Sequence, residues 1–171
     1  MVRCERVEAV LPDKASFDRA YAALPEWRRR KCDGFRFEAD RRRSVAAWML
    51  LRQMLAERGL DADTLPVSEN EFGKPAFDPS LGIHFSLSHA GERVMAAVSD
   101  RPVGCDVEKI ESFDETFVRR WVRKEAYLKA VGCGFGLETN PVPDLSGDLP
   151  AGWRSRDFDF GDGHLGCVVC G

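Results

Sequence analysis

The sequence predicts an α+β fold of two similar halves, each a small antiparallel sheet packed with a long helix. Three observations carry the prediction. Residues alternate with period two over 83–99 and again towards the C-terminus over 153–170, each stretch broken by a glycine turn. Apolar residues follow helical spacing over 40–58, and 114–131 reads as a second long helix. The order of elements then runs strand, helices, hairpin, followed by strand, helix, hairpin, with the join near Asp100. The halves are residues 1–100, the basic side, and 101–171, expected to form one compact unit.

The elements follow in order. Val2, Cys4, Val7, Ala9 and Leu11 make Val2–Leu11 a strand whose alternation slips once. Ser16–Leu24 reads as a short helix with Ser16 as its N-cap. Asp40–Arg58 is the strongest helix of the first half. Ala47, Leu50, Leu51, Met54 and Leu55 form its apolar stripe and Gly59 stops it. Gly73, Pro75 and Pro79 mark Asn70–Pro79 as a loop. Ile83, Phe85 and Leu87, then Val94, Ala96 and Val98, form a hairpin about Gly91-Glu92. Val103–Ile110 is the next strand and Asp114–Val131 the second long helix, ending in the glycine-rich Gly132–Gly136. Asn140–Gly152 is a loop, and Trp153–Phe160 and His164–Cys170 pair about Gly161-Asp162-Gly163.

Composition bounds the function. The 171 residues are 44% hydrophobic and 31% charged, the balance of a soluble globular protein. No apolar run approaches the roughly 20 residues a membrane span needs, and Met1–Pro12 lacks the apolar core of a signal peptide. A cytoplasmic protein with six free cysteines is expected. The net charge of −3 is uneven: residues 1–58 hold 14 Lys/Arg against 9 Asp/Glu, and residues 59–171 hold 11 against 19. The basic excess is densest from Arg28 to Arg43. Such a cluster suits an anionic ligand, or serves equally as a solvated helix face.

Candidate chemistry centres on Val103-Gly104-Cys105-Asp106-Val107-Glu108. On a strand Asp106 and Glu108 share a face, with Val103, Cys105 and Val107 on the other. Two adjacent carboxylates repel unless a positive charge lies between them, and hard oxygen ligands favour Mg²⁺. Solvated acids on an exposed strand are the bland alternative. Glu125 and Lys129 lie four apart on one helix face, as a third metal ligand or base beside a phosphate-binding lysine, or as a plain ion pair. Ser88-His89 ends a strand at its turn, where donors face an anion. The C-x-x-C at Cys167–Cys170 lies on a strand, so its thiols face opposite sides and a zinc or redox role is not expected.

Four segments in order give a more specific reading: Asn70-Glu71-Phe72-Gly73-Lys74-Pro75, Phe85–Gly91, Gly104–Glu108 and Trp121–Ala130. Together they resemble the phosphopantetheinyl transferase superfamily, in its Sfp-type branch. The resemblance implies two halves related by a pseudo-twofold axis, with coenzyme A and Mg²⁺ (or Mn²⁺) in the cleft between them. By motif position, Asp106, Glu108 and Glu125 would hold the metal. Lys129 and Lys124 would neutralise the diphosphate, and Ser88 and His89 would meet the phosphates. Lys74 and Pro75 would border the adenine. Arg28, Lys31 and Arg43 would supply charge for the 3′-phosphate.

The implied reaction moves phosphopantetheine onto a serine of an acyl or peptidyl carrier protein, with Glu125 and Lys129 as catalytic residues. The expected state is a monomer. One departure stands out: only Lys109–Arg120 separates the D-x-E strand from the W-x-x-K-E-A helix, where Sfp-type enzymes carry an extra helical segment. A coenzyme A- or carrier-binding protein without activity is therefore the competing reading. A nucleic-acid-binding module using Arg28–Arg43 is a further one, opposed by the acidic second half. Neither nucleic acid nor membrane is the expected partner.

Overall fold

A computed structural model describes residues 1–111, 114–133 and 149–171. Its architecture is α+β, as expected. β1 (Val2–Arg6), β5 (Arg93–Ser99) and β4 (His84–Ala90) form one antiparallel sheet with β5 in the middle. β6 (Val103–Lys109), β8 (His164–Cys170) and β7 (Arg154–Asp159) form another with β8 in the middle. Both hairpins have the expected turns.

Each sheet carries a long helix. α4 (Glu38–Ala56) packs on β4 and β5, and α5 (Glu115–Val131) on β6 and β8. Alternation along β5 distributes its side chains between two layers. Val94, Ala96 and Val98 meet the apolar stripe of α4, where Trp48 is fully buried edge-on to Trp27. Met95 and Ala97 meet Val103, Cys105 and Val107 of β6, the layer that joins the two sheets. Leu165, Cys167 and Val169 face α5. Gly104 makes the α5 contact possible: a Cβ there would lie 1.9 Å from the Ala126 carbonyl oxygen.

Several expectations need correction. The first strand stops at Arg6 because Arg6 pairs with Arg93, the first residue of β5, and no ladder continues beyond it. Val7–Val10 turns helical (α1), so Val7 and Leu11 both enter the first core. The N-cap of α2 (Lys14–Ala22) is Asp13, not Ser16. Ser16 instead closes a reciprocal capping box, its N–H donating to Asp13 at 2.6 Å. α3 (Glu26–Asp33) was not expected, because its sequence is too charged to show an apolar period. The Asn70–Pro79 loop contains a short strand, β3 (Pro75–Phe77), paired with β2 (Val67–Glu69). β3 is an edge strand, where proline costs no ladder bond.

All six cysteines are free. Cys167 is buried and Cys170 partly exposed, so the C-x-x-C thiols do face apart. Among the described residues no helix is long and apolar enough to cross a membrane. Gly134–Gly136 and most of Asn140–Gly152 lie outside the described residues.

Candidate functional site

Among the described residues, a cleft of about 430 Å³ is lined by a group of chemistry-bearing side chains. The strand β4 supplies Ser88 and His89, and β6 supplies Asp106 and Glu108. α5 supplies Glu125 and Lys129, one turn apart; Lys74 comes from the loop leading into β3 and Pro75 from the first position of β3. Arg28 and Lys31 reach the cleft from α3. Ten residues singled out from the sequence therefore line one cleft. Lys124 and Arg43 are not among the lining residues. Arg43 pairs with Asp40 at 2.6 Å and donates to the Gly91 carbonyl.

The centre of the cleft is an ion pair held by a serine. Lys129 Nζ lies 2.6 Å from Asp106 Oδ1, and the Ser88 hydroxyl donates to the same oxygen at 2.7 Å. Lys129 also donates to Ser88 Oγ at 3.1 Å. Asp106 is 3% exposed, and its other oxygen, Oδ2, is buried with no hydrogen-bond partner. The i,i+4 pairing of Lys129 with Glu125 is thus replaced by a pairing across the two elements. The Ser88 hydroxyl, assigned from the sequence to phosphate contact, is also committed to the β6 backbone, accepting from Val107 N at 3.3 Å. Ser86 does the same one pleat earlier, accepting from Cys105 N at 3.0 Å. Two serines on β4 therefore hold the adjacent edge of β6.

The remaining acids are short of positive charge. Glu125 is raised to about 7 by burial and by Asp106, with Lys129 offsetting only part. Burial and Asp106 also raise Glu108, against which Lys129 and a hydrogen bond from Trp121 pull. Two carboxyls reluctant to ionise and one orphaned carboxylate oxygen share a single cleft. That pattern is expected where a cation is to be bound. Among the described residues no three His, Cys, Asp or Glu side chains are gathered into a metal-binding group. The case for a cation therefore rests on charge and hydrogen bonding. The charge shortage at Glu108 and Glu125 and the orphaned Oδ2 of Asp106 suit a hard, oxygen-ligated ion.

The other end of the cleft is basic and apolar. His89 is depressed to about 4 by burial first, then by Arg43, Lys129 and Arg28, so the ring is neutral at neutral pH. Phe35 packs edge-on against it, with ring centroids 5.9 Å apart. Burial also lowers Lys74, whose Nζ reaches the Val103 carbonyl at 3.4 Å. Lys31 Nζ sits near the Gly73 carbonyl and Glu69. Arg28 is 5% exposed, donates to the hydroxyl and carbonyl of Ser44, and stacks over Trp48. It is more deeply structural than a member of a solvated basic run. Sequence reasoning missed Phe35 and Ser44, which belong to no motif. It quoted Asn70 and Phe72 in a motif without giving them a role.

Comparison with known proteins bears on what this cleft serves. A family model described as 4′-phosphopantetheinyl transferase, N-terminal, matches residues 10–101, more than half of the chain. A 4′-phosphopantetheinyl transferase of Bacillus pumilus is 33% identical over 160 residues, covering 77% of this chain and 68% of the relative. The chain belongs to the 4′-phosphopantetheinyl transferase family. A 4′-phosphopantetheinyl transferase of Bacillus subtilis is 28% identical over 178 residues, covering 89% of this chain and 78% of the relative. Sfp of Bacillus subtilis (strain 168) is 30% identical over 101 residues, covering 58% of this chain and 45% of the relative. These matches support the Sfp-like branch of the phosphopantetheinyl transferases.

Proposed function

We propose that this phosphopantetheinyl transferase moves 4′-phosphopantetheine from coenzyme A to a serine of an acyl or peptidyl carrier protein, with Mg²⁺ and release of 3′,5′-ADP. The observation that carries the reading is the cleft itself. One end offers Arg28, Lys31, Lys74 and neutral His89 to an anionic, aromatic ligand. The other gathers two under-neutralised acids, Glu108 and Glu125, beside the Asp106–Lys129 pair. A nucleotide diphosphate bound with a divalent cation would meet both needs.

Asp106, Glu108 and Glu125 are the residues that would hold the cation. When bound, it would supply charge neutralisation of the diphosphate oxygens. The protein's own part is positioning and proton handling. The carrier serine oxygen attacks the β-phosphorus as the bond from that phosphorus to the oxygen of 3′,5′-ADP breaks. Glu125, in the same cleft, accepts the serine proton. Lys129 neutralises charge on the phosphate oxygens, and Ser88 keeps Asp106 and Lys129 in register. Lys124, on the same helix, adds positive charge near Glu125. Arg43 does the same near His89, at the 3′-phosphate end. The enzyme is expected to act as a cytoplasmic monomer of two halves, 1–100 and 101–171.

Release of 3′,5′-ADP tests this reading. It should require coenzyme A, an apo carrier and Mg²⁺ together, and stop with EDTA. Tight coenzyme A binding with no release on any carrier would favour the inert binder instead. The short Lys109–Arg120 connection gives that second reading its support.

A further inference from the structure

The cleft walls are tied at a second place, away from Ser88. The Asn70 Oδ1 accepts the N–H groups of Phe72 at 3.0 Å and Lys74 at 2.9 Å. The Asn70 Nδ2 donates to the carbonyl oxygen of Gly132 at 2.6 Å, 62 residues along the chain. Backbone bonds Asn70 N to Lys74 O and Gly73 N to Asn70 O close the same loop.

Gly132 is the left-handed C-cap of α5, with φ 88°, and both Gly132 N and Cys133 N donate to Leu128 O. Its carbonyl is one of the acceptors a helix end leaves without an internal partner. The fit is close: a Cβ on Gly132 would lie 3.1 Å from Asn70 Nδ2. The amide offers an acceptor to the loop from its oxygen and a donor to the helix end from its nitrogen.

We propose that Asn70 is a positioning residue. It fixes the spacing between the Lys74–Pro75 loop and the last turn of the helix that carries Glu125 and Lys129. This rests on the transferase reading above. The two arms of the amide act on different steps. The acceptor arm orders the loop that meets coenzyme A. The donor arm holds the end of α5 and, through it, the catalytic pair.

Two variants separate the arms. Asn70→Asp keeps the acceptor and sets a carboxylate oxygen against the Gly132 carbonyl, at the negative end of the helix. It should lower kcat about tenfold and leave KM for coenzyme A within about twofold. Asn70→Ala loses both arms and should also raise KM, and weaken calorimetric coenzyme A binding, about tenfold. Amide exchange at Gly132 and Cys133 should quicken about tenfold in both variants without any substrate present.

The proposal is overturned if exchange at Gly132 and Cys133 stays at the wild-type rate. It is equally overturned if both variants only melt earlier, with kcat and KM per folded molecule unchanged. Asn70→Asp decides alone if Asn70→Ala does not fold. If the wild type modifies no carrier, the transferase reading fails. Exchange and coenzyme A affinity then still test Asn70.

Discussion

Replacing Glu125 with Gln should stabilise the metal-free protein while ending transfer. The carboxyl is held at about 7 instead of its ordinary 4.5, by burial and the charge of Asp106. In the unfolded chain it releases its proton near 4.5. Between these values the unfolded state binds fewer protons, so stability falls as pH rises from 4.5 to about 7 and stays lower above. A shift of that size sets a ceiling of about 3 kcal/mol, and partial solvation of the group reduces the expected effect to about 1–2 kcal/mol. For a chain of this length that corresponds to a rise in Tm of about 3–6 °C. Thermal unfolding in EDTA at pH 8 and pH 5 measures it. The variant should melt higher at pH 8, and the gap should shrink at pH 5. Mg²⁺ should raise the Tm of the wild type more than that of the variant. Coenzyme A binding should remain measurable. A variant that melts at or below the wild type at pH 8, or a gap that does not shrink in acid, would refute the electrostatic account of the cleft. Transfer at a near wild-type rate would remove Glu125 from its role as base.

Other changes have distinct signatures. Gly104→Ala should cost about 3 kcal/mol or more in urea unfolding, because the new Cβ meets Ala126 O at 1.9 Å and Ala130 N at 2.4 Å. Arg28→Ala should lower both stability, by about 2 kcal/mol, and coenzyme A affinity, since it strips the hydrogen bonds to Ser44 and the stacking on Trp48. Lys31→Ala, exposed and weakly paired, should lower affinity alone, as calorimetry with parallel melts will distinguish. Coenzyme A binding at pH 5.5 should take up a proton, because an anion beside His89 raises a group now held at about 4. Calorimetry in buffers of different ionisation enthalpy detects it, and His89→Gln should remove it.

The period-two and period-3.6 patterns carried most of the fold, because β5 and β8 send alternate residues to consistent layers and α4 and α5 each bury one stripe. They failed where tertiary pairing decides. Val7–Leu11 continues an apolar pattern, but the end of β5 leaves it no partner strand. α3 buries Arg28 and Cys32 through a stretch that reads as a charge run, so its helix had no apolar signature. The cleft was legible because its residues sit in motifs whose order survives in sequence. Its internal bonding was not. That Lys129 turns from Glu125 to Asp106 depends on α5 lying on β6, and that Ser86 and Ser88 hold the edge of β6 depends on β4 lying beside it; no local pattern encodes either.

The central claim is transfer, and intact-mass spectrometry of an apo carrier protein tests it most directly. Incubated with this protein, coenzyme A and Mg²⁺, the carrier should gain the mass of one phosphopantetheine on its serine, and EDTA should prevent it. An unchanged carrier across fatty-acid, polyketide and peptide types, with coenzyme A demonstrably bound, would contradict it.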